Sequence, residues 1–155
     1  MKIANIMEND MINGKGICVS VFVQGCPHHC KGCFNPETWD FNGGRTIDDE
    51  QKEIDNILNL VNQNGVQRNL SILGGEPLHK NNIDFVKKLL KQAKETYPKI
   101  QTFVWTGYEL EELNKEDLQN IDILIDGKYI EELRDITLDL RGSSNQRVLY
   151  RGEHF

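Results

Sequence analysis

The chain lacks any long apolar segment, and this absence excludes several classes of protein. No run of about 18 apolar residues occurs among the 155 residues, so no transmembrane helix is predicted. The first ten residues also lack the apolar core of a signal peptide. Basic residues are in the minority, and a net charge of −6 argues against a nucleic-acid-binding surface. We expect a single cytoplasmic domain that spans residues 1–155.

Cysteine is also scarce, but three of the four cysteines lie close together. Cys26, Cys30 and Cys33 fall within eight residues, whereas Cys18 stands apart in a predicted strand. Thiols of cytoplasmic proteins stay reduced, so such a group indicates metal binding or catalysis rather than disulfide bonding.

The apolar pattern predicts strands that alternate with helices. One helix is predicted after a capping box at Thr46–Asp49, with its end at Asn64-Gly65, and another from Ile83 to Tyr97. This alternation predicts an α/β fold with a mainly parallel sheet. About five βα units fit into the chain, too few for a closed barrel of about 250 residues. An incomplete (partial) β/α barrel is therefore expected. The predicted strands are 17–23, 70–73, 100–105, 121–125 and 147–150.

Four polar motifs each follow a predicted strand. They are residues 26–33, 74–77, 105–108 and 126–128. In α/β folds of this kind, functional groups gather where the carboxyl ends of parallel strands meet. A single site built from these motifs is expected there.

The cysteine spacing allows several interpretations. Three thiolates can each bind one iron of an iron–sulfur cube, although clusters that only carry electrons normally have four cysteines. Cys18 would lie roughly 20 Å before the loop along its strand, so it is interpreted as a buried strand residue. His28 or His29 could complete a zinc site, but both lie inside the loop; a thiol-redox loop is a further alternative. A cluster with one open iron, able to bind and reduce a substrate, is the favoured interpretation.

The stretch Gly74-Gly-Glu-Pro77 follows a buried strand. Two glycines would let the backbone approach a ligand closely, and the Glu76 carboxylate is an acceptor suited to an ammonium group. In isolation the same stretch is more typical of an ordinary turn.

Together these motifs resemble the radical S-adenosylmethionine (SAM) family. Within it, the chain is most similar to the activating proteins of glycyl-radical enzymes, in particular those of anaerobic ribonucleoside-triphosphate reductases. One departure is Cys18, because relatives tend to carry Arg there. The resemblance depends on residues Asn13–Ile17, Phe22–Asn35, Thr38–Asp40, Gly74–Pro77 and Arg141–Arg147.

The resemblance implies specific cofactor contacts. Three cysteines would hold a [4Fe–4S] cluster, and SAM would chelate the free iron through its amino and carboxylate groups. The reduced cluster would cleave SAM to a 5′-deoxyadenosyl radical that takes hydrogen from a glycine of the partner. No catalytic side chain is expected, because the cofactors supply the chemistry. The implied metal ligands are Cys26, Cys30 and Cys33; the implied SAM-binding residues are Gly32, Cys33, Phe34, Gly74, Gly75, Glu76, Asp126 and Lys128.

The resemblance also implies partners. These are the large subunit of an anaerobic ribonucleoside-triphosphate reductase and a one-electron donor such as reduced flavodoxin, with no nucleic acid and no membrane. The alternatives are an activator of another glycyl-radical enzyme such as pyruvate formate-lyase, a radical enzyme acting on a small metabolite, and a zinc-binding interaction module.

Overall fold

A computed structural model describes all of residues 1–155 and contains one seven-stranded sheet and two α-helices. The spatial order of the strands is β3-β1-β2-β4-β5-β6-β7. None of the helices is long and apolar enough to cross a membrane. The strands are β1 Lys2–Asp10, β2 Cys18–Val23, β3 Arg45–Thr46, β4 Asn69–Gly74, β5 Thr102–Trp105, β6 Ile123–Asp126 and β7 Arg147–Tyr150, and the helices are α1 Glu50–Val61 and α2 Ile83–Thr96.

The centre of the sheet is parallel and its edges are antiparallel. Strands β2, β4, β5 and β6 pair in parallel, whereas β1, β3 and β7 pair antiparallel with their neighbours. The predicted α/β class is confirmed, but the expectation of about five parallel βα units was too high. Only two connections contain an α-helix, and β5 leads to β6 through the 3₁₀ turns Leu110–Glu112 and Lys115–Leu118. Strand β7 returns antiparallel after a connection without any α-helix, the element that usually forms a parallel crossover.

The N-cap of helix α1 lies three residues after Thr46, the N-cap position of the predicted capping box. Its N-cap is Asp49, whose side chain accepts a hydrogen bond from the Lys52 N–H at 3.0 Å. Thr46 instead lies in β3, where it pairs with Lys2 of β1. Because Asp49 has the extended backbone of an N-cap residue, it satisfies a backbone donor that the first turn cannot satisfy internally.

Both α-helices cover one face of the sheet. Val19, Val21 and Val23 of β2 belong to the same buried cluster as Ile57 of α1 and Leu89 of α2. Alternate residues of each strand point to the other face. There a smaller cluster forms around Phe103, Ile123 and Ile125, with no α-helix against it.

Candidate functional site

A cavity of about 600 Å³ lies beyond the carboxyl ends of the parallel strands. Phe22, Leu73 and Trp105, which alternate with the helix-facing core residues of β2, β4 and β5, form part of its wall. The cavity therefore opens on the face that the α-helices leave uncovered. Phe34 lines it together with residues from all four predicted motifs: Cys26, His28, Cys30, Cys33, Gly74, Gly75, Glu76, Trp105, Thr106, Gly107, Gly127 and Lys128.

The three cysteines of the loop line this cavity as free, half-buried thiols. No three His, Cys, Asp or Glu side chains are grouped so that they could hold one metal ion. Burial raises the pKa of Cys26 to about 11 and also raises the pKa of Cys30. A bound cation would reverse this effect, since a coordinating thiol is deprotonated.

Backbone hydrogen bonds hold the start of the cysteine loop. The Gly25 N–H donates to the Thr38 carbonyl at 2.7 Å, and the Cys26 N–H donates to the Trp39 carbonyl at 3.2 Å. The His29 ring stacks on Trp39 with 4.7 Å between ring centroids. The loop is thus fixed against the chain segment that follows it.

Gly32 lies in this loop but does not line the cavity. A Cβ at its position would meet the Glu131 carboxylate at 2.6 Å, so the residue is packed against the neighbouring 3₁₀ turn Glu131–Leu133. Its neighbours Cys33 and Phe34 do reach the cavity, and Phe34 is 56% exposed.

The two glycines of the Gly74-Gly-Glu-Pro77 segment pack against the end of β2. Gly74 has a φ of +102°, and a Cβ on Gly75 would lie 2.4 Å from the Gly25 carbonyl oxygen. The Gly75 and Glu76 N–H groups donate at 2.8 Å to the carbonyls of Val23 and Gly25. Only glycine permits so close a backbone contact, and this contact places the segment beside the cysteine loop.

The Glu76 carboxylate is fully buried and is satisfied by the protein. Its Oε1 accepts from the Thr106 hydroxyl at 2.7 Å and the Leu78 N–H at 3.0 Å. Its Oε2 accepts from the Gly107 N–H at 2.7 Å and lies 2.8 Å from His28 Nε2. All four contacts therefore come from the protein itself: from the connections after β4 and β5 and from the cysteine loop.

Asp126 lies at the end of β6 but does not line the cavity. It is buried, and its oxygens accept hydrogen bonds from the Arg147 guanidinium and from the Leu110 N–H at 2.8 Å. Glu111 also pairs with Arg147, and both carboxylates raise the pKa of that guanidinium. Lys128, in contrast, lines the cavity and forms no ion pair.

The cavity contains polar groups without partners. Trp39 Nε1, the Tyr129 hydroxyl and Arg141 Nε are buried atoms that make no hydrogen bond, and all three residues line the cavity. Native proteins leave few buried polar atoms unsatisfied. These donors therefore fit a cavity that takes a polar ligand with acceptor groups.

Sequence reasoning did not identify His28, Arg141 or Tyr129 as site residues. The sequence offers His28 as a loop-surface residue or a zinc ligand, and Arg141 as part of a resemblance motif that is either a partner contact or a polar turn. Their positions depend on contacts between distant segments, which no local pattern reports.

Comparison with known proteins identifies the family. Residues 12–149 match the family model of the 4Fe-4S single cluster domain. The chain is 40% identical to the anaerobic ribonucleoside-triphosphate reductase-activating protein of Escherichia coli (strain K12), over 90% of this chain and 92% of that protein. The proteins of the same name from Haemophilus influenzae and Pasteurella multocida are 41% and 36% identical, covering 90% and 97% of this chain and 91% and 98% of their own lengths.

The chain belongs to the family of anaerobic ribonucleoside-triphosphate reductase-activating proteins. The resemblance seen in the sequence is confirmed, and so is the prediction of an activating enzyme. The matched family model also supports a [4Fe–4S] cluster as a cofactor. It thereby favours this cofactor over the zinc ion considered from the cysteine spacing.

Proposed function

We propose that the chain generates a glycyl radical on the large subunit of an anaerobic ribonucleoside-triphosphate reductase. The observation that carries this proposal is that the three loop cysteines and the Gly-Gly-Glu segment line one cavity. A reduced cluster bound there would supply one electron for the cleavage of SAM to methionine and a 5′-deoxyadenosyl radical, which would become 5′-deoxyadenosine by taking a hydrogen atom from a partner glycine.

Cys26, Cys30 and Cys33 would each bind one iron of the cluster and leave the fourth iron open. Their positions support this, because the three thiols line the cavity without being grouped around a single point. Cys18 is not proposed as a ligand. It is fully buried, and its Sγ lies 3.5 Å from the Lys15 carbonyl, outside the lining of the cavity.

SAM would bind between the cysteine loop and the Gly74–Glu76 segment. Cys33 and Phe34 would contact it from the loop, and Gly32 would act by shaping that loop. The backbone at Gly74 and Gly75 would receive its ammonium group, since the Glu76 carboxylate already has four partners.

Positive charge in the cavity supports binding of the SAM carboxylate. Lys128 and Arg141 line the cavity, and neither forms an ion pair within the protein. A guanidinium group is suited to paired hydrogen bonds with a carboxylate. Asp126 would contribute indirectly, by fixing Arg147 and the end of β6.

The partner would approach from the helix-free face. Residues 1–155 are proposed to form one domain, a partial barrel of the radical SAM type whose inner surface stays accessible. Ile12 and Ile136 line the cavity while being 81% and 80% exposed, so they lie at its mouth. A glycine-bearing loop of the reductase would enter there, and reduced flavodoxin would supply the electron.

The test is electron paramagnetic resonance (EPR) of the reconstituted activation reaction. Anaerobic incubation of the protein with the reductase, SAM and a chemical reductant is expected to give the doublet of a glycyl radical. The Cys30→Ala variant is expected to give none, whereas Cys18→Ala, which removes a cysteine outside the cavity lining, is expected to retain it.

Other outcomes would contradict the proposal in distinct ways. SAM cleavage without a glycyl signal would rule out activation of the reductase. A signal obtained only with pyruvate formate-lyase would identify the alternative partner. Turnover driven by a low-molecular-weight substrate alone would indicate an enzyme of small metabolites.

A further inference from the structure

One side chain connects the cysteine loop to the Gly74–Pro77 segment. His28 lies between Cys26 and Cys30, and its Nε2 is 2.8 Å from Oε2 of Glu76. Both side chains are buried, with 7% and 1% of their surface exposed. A hydrogen bond to a buried carboxylate is strengthened by its low-dielectric surroundings.

The His28 ring is also confined sterically. It meets the Tyr108 ring edge to face, with 4.7 Å between the centroids and 76° between the planes. A Cβ on Gly107 would lie only 2.4 Å from His28 Cδ2, so the ring occupies the space that a larger residue would need. These contacts fix where the middle of the cysteine loop lies.

Glu76 is a rigid anchor for this ring. Its carboxylate also accepts from the Thr106 hydroxyl and the Gly107 N–H, both beyond the end of β5, and from the Leu78 N–H. The carboxylate therefore joins three chain segments: the cysteine loop, the connection after β4 and the connection after β5. Among the partners of the Glu76 carboxylate, only His28 lies in the cysteine loop, so replacing His28 removes the contact between the two.

We propose that His28 is a positioning residue that sets the placement of the cluster relative to SAM. This inference depends on the proposed function, in which the cysteine loop holds the cluster and the Gly74–Glu76 segment holds SAM. His28 acts through its hydrogen bond to Glu76. Residues that orient metal ligands through hydrogen bonds commonly change affinity or activity about 10- to 100-fold when they are replaced.

The test compares His28→Leu with His28→Gln in anaerobically reconstituted protein. Leucine fills similar space without a hydrogen bond, whereas glutamine can donate its amide N–H to Glu76. We expect His28→Leu to weaken SAM binding by about 10-fold and to reduce the change that SAM causes in the EPR spectrum of the reduced cluster. His28→Gln is expected to recover most of both.

Two further variants serve as controls. Gly107→Ala keeps every hydrogen-bonding group but crowds the His28 ring, so it is expected to weaken SAM binding in the same direction. His29→Ala changes the neighbouring ring, which stacks on Trp39 and does not contact Glu76. It is expected to bind SAM more tightly than His28→Leu does.

The outcomes separate this inference from the proposed function. Equal SAM binding and equal EPR response in the wild-type and His28→Leu proteins would overturn the positioning role, as would equal impairment in the leucine and glutamine variants. If His28→Leu does not fold, Gly107→Ala and His28→Gln decide the matter. A wild-type protein that assembles no cluster or binds no SAM would instead overturn the proposed function.

Discussion

Glu76 and Asp126 are both buried carboxylates that lie at or just beyond the ends of parallel strands. Other groups of the protein occupy their oxygens through hydrogen bonds. Their positions beside the site follow from the strand pattern of the sequence. Their partners do not, because His28 and Arg147 lie 48 and 21 residues away along the chain. Sequence thus predicts where such a carboxylate lies more readily than whether it remains free for a ligand.

Asp10 provides a test of a buried carboxylate outside the site. Burial alone would raise its pKa, but hydrogen bonds from the Asn13 amide and from the N–H groups of Ile12 and Asn13 lower the pKa below its ordinary value. Its ionised form therefore stabilises the fold fully above about pH 5, and this contribution is lost as the pH falls through the lowered pKa. Asp10→Asn is expected to be less stable than wild type at pH 7, by a margin that shrinks in acid.

Urea unfolding of both proteins at pH 7, 5 and 3 measures this margin. Glu8→Gln removes an exposed carboxylate from the same strand and is the matched control. A stability difference between the wild-type and Asp10→Asn proteins that stays constant across the three pH values would show that the Asp10 charge has no such role.

At the scale of elements, the predicted strands that surround the site closely match the observed ones. Strand β7 has the predicted bounds Arg147–Tyr150, and β2 starts one residue later than predicted. Strand β1 was missed, because Lys2–Asp10 is polar and largely unburied and gives no clean alternation. Thr46 fits the capping pattern, but it pairs with Lys2 of β1, and Asp49 is the N-cap instead.

The end of helix α1 depends on a residue from the following connection. Arg68 is 7% exposed and donates to the carbonyls of Gln63 and Val66 at 3.0 and 2.8 Å, and to Asn9 of β1 at 2.9 Å. Arg68→Met keeps most of the apolar volume but removes these charged hydrogen bonds. We expect a loss of about 1.5–3 kcal/mol in the free energy of unfolding, measured by urea denaturation.

Arg45→Met is the matched control for this prediction. Arg45 also makes a paired contact, to Glu53, but its side chain is 55% exposed. Exposed ion pairs contribute about 0–1 kcal/mol, so its replacement should cost less. Equal losses in the two variants would show that burial of Arg68 adds nothing to the free energy of unfolding.

At the scale of the whole molecule, the two faces of the sheet have different roles. The helix-covered face carries the larger buried cluster, including Ile57 and Leu89, while the other face carries the cavity and a smaller cluster. Hydrophobic periodicity predicts the first face, because packing of α1 and α2 follows from their apolar stripes. The second face is built from irregular connections, whose positions depend on individual contacts.

Ligand binding on this second face should stabilise the whole fold. SAM at about 100 times its Kd should add about 2.7 kcal/mol to the stability of the cluster-loaded protein. For a chain of this size, that corresponds to an increase of roughly 5–10 °C in the unfolding temperature. Anaerobic calorimetry measures the shift.

The Cys30→Ala protein is the control for this experiment. Without one of the proposed iron ligands it should show a much smaller increase. An equally large increase in both proteins would place SAM binding elsewhere than on the cluster.

The uncovered cavity also has a consequence for when the enzyme should act. In the proposed activation complex, the missing wall of the reaction chamber would be supplied by the reductase, whose loop would seal the opening between Ile12 and Ile136. Docking would then shelter a reactive species that this chain leaves open to water. Radical formation and substrate arrival would thus be coupled by architecture, with the substrate protein serving as the lid.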